Sequence, residues 1–196
     1  MQPFAPVKTR HCFISDLWNM RLELANGFFM SPHTEADIPA LIQHLNDPYI
    51  FARTLMLPAN YQEKDARFFL TLCQSHLDTF GHPLHFAIRN PEGETIGGCG
   101  YHGKNTVPGL AHRDEIGYWL ATAYRGKGIM TQAITSLVEY GWTKRNLLRI
   151  EAPVYAFNKE SAAVLKRCGF SYEGESKKAY FRNGEYHDAL LYAIVK

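Results

Sequence analysis

Glu115-Ile-Gly-Tyr-Trp-Leu-Ala-Thr-Ala-Tyr-Arg-Gly-Lys-Gly-Ile-Met-Thr131 is the stretch on which the fold turns. Glu115 to Leu120 reads as a strand. A short turn with Arg125-Gly126-Lys127-Gly128 follows, and then the period becomes helical, with Met130, Ala133, Ile134, Leu137 and Val138 on one stripe. Lys144 and Arg145 suit the negative end of that helix dipole. Glycines allow positive φ and close approach of the backbone to a ligand. The helix leaves its first N–H groups free and favours an anion there, so a pyrophosphate is the natural guest of the turn. Arg125 and Lys127 add positive charge. The plainer alternative is a tight turn with two exposed basic residues. No Walker A pattern occurs. A G-x-G-x-x-G pattern is only partial, because Thr131 stands where the third glycine would be. Glu151 falls near where a ribose-binding acid would lie, which keeps a nucleotide-dependent oxidoreductase open. Such fingerprints normally open a βαβ series, however, and this one comes late and is followed by two closing strands.

Outward from this stretch, the period alternates along the chain. Met20 to Leu24 and Phe28 to Met30 flank Asn26-Gly27, a strong hairpin signal. Thr34, with Asp37 three residues on, resembles a capping box before Ile38, Leu41, Ile42 and Leu45. Asn46-Asp47-Pro48 ends that helix. A second helix is predicted from about Gln62 to Thr79, with Phe69, Leu72, Cys73, His76 and Leu77 on one face. Leu84 to Arg89 and Thr95 to Tyr101 read as strands, and His102 to Asp114 as a loop. After the central helix come a strand at Arg149 to Tyr155, an Asn-capped helix at Asn158 to Cys168 closed by Gly169, and strands at Phe170 to Ser176 and Asp188 to Val195. The expected architecture is a mixed α/β (α+β) sheet in one domain, without repeats or linkers.

Composition narrows the function classes. A net charge of +2 argues against nucleic acid or an anionic membrane as the main partner. No apolar run approaches the ~20 residues needed to span a bilayer, and the N-terminus does not read as a signal peptide. Cys12, Cys73, Cys99 and Cys168 are unclustered, so neither disulfides nor a zinc site is expected, and a cytoplasmic setting follows. The histidines, including His82-Pro-Leu-His85, have no carboxylate or cysteine spaced to share a metal, so no metal is expected.

Three motifs in order carry a resemblance. The first is the Arg125–Gly128 turn, similar to the Q/R-x-x-G-x-G/A element of the GNAT superfamily of N-acetyltransferases. Gly126 and Gly128 match, whereas Ala123 departs from it at the first position. The second, Asn158-Lys-Glu-Ser161 through Gly169-Phe170 to Glu173-Gly174, resembles the N-x-x-S…GF…EG signature of the RimJ/RimL-like branch. The third is Asn183-Gly-Glu-Tyr-His-Asp188-Ala-Leu-Leu-Tyr192. The resemblance covers about residues 27–196 as the N-acetyltransferase domain, leaving 1–26 as an extension with the first hairpin strand.

The resemblance implies a single-domain GNAT fold with a mostly antiparallel sheet, splayed at its fourth and fifth strands and flanked by about four helices. Those strands would be Glu115–Leu120 and Arg149–Tyr155. Pro153, lacking an N–H, suits a splay and equally an ordinary bulge. It implies acetyl-CoA as co-substrate and a primary amine, on a protein N-terminus or a small molecule, as acceptor, with direct attack in a ternary complex. A silent CoA-binding module is the other alternative. Backbone groups of Trp119 and Leu120, the turn Arg125, Gly126, Lys127, Gly128 and Ile129, and Asn158 are the expected cofactor contacts. Glu115 is the expected base, acting through water. The position of the family's tyrosine acid holds Leu165, which leaves Ser161 as the substitute. Tyr180 is the expected acceptor contact. Each has a plainer reading: Glu115 as a salt-bridged strand end, Ser161 and Asn158 as helix-cap residues, Tyr180 as packing. A monomer and a homodimer both fit.

Overall fold

The hairpin signal at Asn26-Gly27 opens the fold. The computed structural model describes residues 20–104 and 106–196; the N-terminal stretch, with Cys12, lies outside the described residues. β1 (Leu22–Glu23) pairs with β2 (Phe29–Pro32) across a turn in which Asn26 and Gly27 have φ of 60° and 78°. β3 (His85–Arg89), β4 (Thr95–Tyr101) and β5 (Arg113–Leu120) extend the antiparallel sheet, each beside its predecessor. β5 begins two residues before the expected Glu115, so Arg113 and Asp114 belong to the strand rather than to the loop. β6 (Arg149–Glu151) pairs with β5 in parallel. β7 (Val154–Tyr155) is separated from β6 by Ala152-Pro153, so the single strand expected there is two short ones. β8 (Ser171–Arg182) and β9 (Glu185–Val195) form a longer closing hairpin than expected, turning at Asn183-Gly184 with φ of 51° and 84°. β9 receives β6 and β7 along one edge and β8 along the other.

Five α-helices stand among the described residues, rather than about four. They are α1 (Ile38–Leu45), α2 (Pro48–Arg53), α3 (Glu63–Phe80), α4 (Ile129–Lys144) and α5 (Lys159–Arg167). The Thr34–Asp37 capping box forms, closing a 3₁₀ turn that leads into α1. Pro48 ends α1 but also starts α2, because proline at the first helical position forfeits no hydrogen bond. Asp47 caps that helix, accepting from the Tyr49 N–H at 2.8 Å.

Two apolar clusters sandwich the sheet. Ile134, Leu137, Val138 of α4 and Leu165 of α5 pack with Phe86, Ile96, Ile116 and Ile150. On the other side Ile38, Leu41, Leu45, Ile50, Tyr61 and Ala66 join α1 to α3, with Trp119 against them. Arg145 stands at the C-cap of α4 as expected, and its side chain is buried against Asp114 at 2.8 Å, its guanidinium 4.3 Å from the Tyr101 ring centre. Asp114 also accepts the backbone N–H groups of Gly103, Lys104 and Glu115. No helix among the described residues is long and apolar enough to cross a membrane.

Candidate active site

The parallel register Arg113↔Arg149, Asp114↔Ile150, Glu115↔Glu151 is the whole of the backbone ladder between β5 and β6. Beyond Glu115 the strands part: β5 keeps β4 as its partner, while β7 pairs with β9. One edge of Ile116–Leu120 therefore faces a gap. The ladder alternates, and the N–H of His102 donates to Glu115 while that of Ala121 donates to Ile96. By that alternation Trp119 pairs with Gly98 through its own backbone, and the amides directed at the gap are those of Tyr118 and Leu120. The expectation for the Trp119 backbone is thus corrected. Its indole packs on the α1–α3 side, 6.0 Å from the His44 ring.

At the open end of the gap lies the glycine turn. Gly126 and Gly128 have φ of 74° and 77°, and Gly128 caps α4. A β-carbon at either would meet no protein atom within 4 Å, so the turn needs glycine for its backbone and not for packing. Ile129, the first residue of α4, is buried and anchors the helix start. Lys127 is exposed above Tyr124. Arg125 is engaged otherwise than expected: its Nε donates to the Leu120 carbonyl at 3.0 Å and its guanidinium lies 3.9 Å from the centre of the Tyr49 ring. Thr122 in the same turn donates to Asp47 at 2.6 Å, tying it to α2. Free gap-side amides, a left-handed glycine turn and a helix start form a set of donors suited to a pantetheine and its pyrophosphate.

Across the gap, Asn158 accepts from the Ser161 N–H at 3.2 Å and so caps α5. The Ser161 hydroxyl lies 2.6 Å from the Tyr118 hydroxyl. Burial holds the Tyr118 phenol well above its ordinary range, with the Ser161 hydrogen bond opposing, so it keeps its proton at neutral pH. Nothing in the spacing of these two residues pairs them; they are joined only by the approach of α5 to β5.

At the closed end stands Glu115. Its Oε1 meets His102 Nδ1 at 2.9 Å and its Oε2 meets Lys104 Nζ at 2.6 Å. Burial raises this carboxyl, but the hydrogen bonds from His102 and Lys104 outweigh it and hold the group below its ordinary value. Tyr180 packs edge-on to Tyr155, and burial, with the charge of Glu115 behind it, pushes its phenol up to about 12. Sequence reasoning missed His102 and Lys104 because both lie in what reads as a loop. Burial also pushes the Cys73 and Cys99 thiols up to about 12, and raises that of Cys168, so these three favour the un-ionised form. Glu151, the ribose-binding acid of the oxidoreductase alternative, is ion-paired to Arg113 and Arg149.

Comparison with known proteins identifies the family. Residues 28–171 match the acetyltransferase (GNAT) domain family. The putative ribosomal N-acetyltransferase YdaF of Bacillus subtilis is 34% identical over 50% of this chain and 54% of its own length. The [ribosomal protein uS5]-alanine N-acetyltransferase of Escherichia coli is 32% identical over 58% of each chain. Both alignments thus span little more than half of the relative. In fold, the chain is similar to RimL, the ribosomal L7/L12 α-N-protein acetyltransferase, solved in complex with coenzyme A. The TM-score is 0.79 at 24% identity, over 90% of this chain and 98% of that one. With that family match over most of its length, the chain belongs to the GNAT acetyltransferase domain family.

Proposed function

We propose that this protein transfers the acetyl group of acetyl-CoA to a primary amine, on a protein N-terminus or a small molecule, within a ternary complex. The observation that carries the proposal is the gap that opens beside Ile116–Leu120, with the Gly126–Gly128 turn at one end and the Glu115 cluster at the other. Acetyl-CoA supplies the acyl group already activated as a thioester. The Tyr118 and Leu120 amides hold pantetheine and polarise the acyl carbonyl. The Gly126–Ile129 backbone takes the pyrophosphate, with Lys127 and Asn158 beside it. Ser161, backed by the Tyr118 hydroxyl, supplies the proton that the departing thiolate needs. The Glu115 cluster serves deprotonation of the amine, whose reference pKa is about 8 for an α-amino group. Thiols that hold their protons support direct attack over an acyl-cysteine route. Tyr180 borders the acceptor side. The relatives named as ribosomal-protein acetyltransferases favour a protein N-terminus, and a cytoplasmic setting, for this chain. Residues 27–196 form the catalytic domain.

Two measurements test this. Saturating acetyl-CoA is expected to raise the melting temperature, since binding at 100 times Kd adds about 2.7 kcal/mol; NADH is expected to leave it unchanged. Thiol release from acetyl-CoA is expected only when an amine from a peptide and small-amine panel is added. A shift with NADH and none with CoA overturns the proposal in favour of the oxidoreductase. A CoA shift with no thiol release across the panel leaves a silent binding module.

A further inference from the structure

His102 was not among the residues expected to do chemistry, yet its position is closely determined. The β4–β5 register sets it opposite Glu115, with its N–H on the Glu115 carbonyl at 2.9 Å, so both side chains stand on one face of the sheet. Its Nδ1 meets Glu115 Oε1 at 2.9 Å. Its Nε2 lies over Gly117, the next residue of β5 on that face. A β-carbon at Gly117 would be 2.8 Å from that nitrogen. Gly117 therefore admits the ring, and the strand's next amide after it, that of Tyr118, faces the gap. The side chain is 37% exposed, enough to be reached by a substrate. We propose that His102 Nε2 is the general base that takes the proton from the acceptor amine, with Glu115 as the residue that positions it. The inference rests on the acetyl-transfer reading above and names which atom of its cluster acts.

The chemistry favours the imidazole over the carboxylate. A base works best when its pKa lies near the working pH. The reference value of an imidazole is about 6.5 and that of an α-amino group about 8, whereas a free glutamate is near 4.3. Glu115 is held lower still. An ionised Glu115 accepting from Nδ1–H fixes the tautomer in which Nε2 carries a lone pair. Lys104 occupies the other carboxylate oxygen, and Asp114 holds the backbone of Gly103 and Lys104 in place. The groups around the ring are Glu115 with the Lys104 ammonium on its other oxygen, and the imidazoles of His76 and His85, both shifted toward the neutral form chiefly by burial; Tyr180 lies on the far side of Glu115. The step balances as follows. An N–H bond of the acceptor breaks and its proton goes to Nε2, the imidazolium being offset by Glu115. The amine nitrogen bonds to the acetyl carbon and the C–S bond breaks. CoA leaves as a thiol with a proton from the Ser161–Tyr118 pair; His102 then returns its own proton to solvent and the pair regains one from solvent, so both are restored.

The test uses the whole protein, with His102→Gln and Glu115→Gln measured from pH 6 to 9. At neutral pH His102→Gln is expected to lower kcat by roughly 10²–10⁴-fold, with little change in the acetyl-CoA melting shift. The loss should shrink toward pH 9, where more of the amine is already deprotonated. Long-range ¹H–¹⁵N spectra of the free protein are expected to show His102 as the Nδ1–H tautomer, and Glu115→Gln should abolish that preference. Turnover that survives His102→Gln at neutral pH overturns the inference alone, as does a wild-type ring protonated on Nε2. A pH-independent loss accompanied by a lost melting shift assigns His102 to structure instead. No thiol release from the wild type with any acceptor overturns the acetyl-transfer reading, and this inference with it.

Discussion

β5 has two halves with opposite fates. Arg113–Glu115 is hydrogen-bonded on both edges, to β4 through Glu115 and His102 and to β6 in parallel. Ile116–Leu120 is bonded on one edge only. In the first half Asp114 points into the interior and meets Arg145 with neither side chain exposed by more than 1%. At the junction Glu115, one residue on, points to the other face and meets His102 and Lys104 near solvent. Adjacent carboxylates thus divide the work: one organises the fold, the other sits where the edge opens. The lesson is that function here is read from an unfinished strand edge more than from residue type, since both carboxylates are ion-paired.

The largest expected effect breaks the closed half. Asp114→Ala leaves a buried guanidinium without its carboxylate and should cost about 3–5 kcal/mol in a urea or thermal unfolding experiment. It also frees the Gly103 and Lys104 amides, so activity should fall in the fraction that stays folded. A stability loss below about 1 kcal/mol would show that Asp114 does not hold this half together.

At the open half, Gly126→Val should do less to the fold and more to binding. Valine in a left-handed conformation costs about 1–3 kcal/mol, and no neighbouring atom adds a clash within the chain. Calorimetry should show acetyl-CoA affinity reduced by more than about tenfold, or 1.4 kcal/mol. Unchanged affinity in a folded variant would move the phosphate site away from this turn.

At neutral pH the smallest effect is that of the buried imidazoles, which shows only in acid. Burial brings His85 from its ordinary 6.5 down to about 3, and His44, His76 and His82 are shifted the same way. As pH falls below about 6.5 the unfolded chain takes up these protons and the folded chain does not. Stability from His85 is therefore complete above that value and declines through the window down to about 3, by up to ~1.4 kcal/mol per pH unit; the other three add in the same direction. His85→Gln should flatten the decline between pH 6 and 4. An unchanged slope would mean that His85 is protonated in the folded protein.

Much of the fold was legible because local chemistry and tertiary structure agree. Asn26-Gly27, the Thr34–Asp37 box and the Asn158 cap with Gly169 each act through neighbours in sequence. α2 was missed because Pro48 reads as a stop, although a proline that ends one helix can open the next. Arg145 was legible at the end of α4, but its pairing was not, because its partner Asp114 belongs to a strand start that the pattern assigned to a loop. In the site, the glycine turn was legible and the side-chain pairs were not. Tyr118 and Ser161 are 43 residues apart, and His102 meets Glu115 only through the register of a hairpin whose loop has no periodic signal. The role of Trp119 failed for a subtler reason: backbone direction alternates along a strand, and sequence cannot say which phase faces an open edge.

The last strand bears on how the molecule is made. β2 to β5 can each join a predecessor as they emerge from the ribosome, but β7 pairs with β9 alone. At the ~5–20 residues per second of synthesis, β7 waits on the order of seconds for its partner. The first wall of the gap can therefore form while the second still lacks its brace, which arrives only with β9.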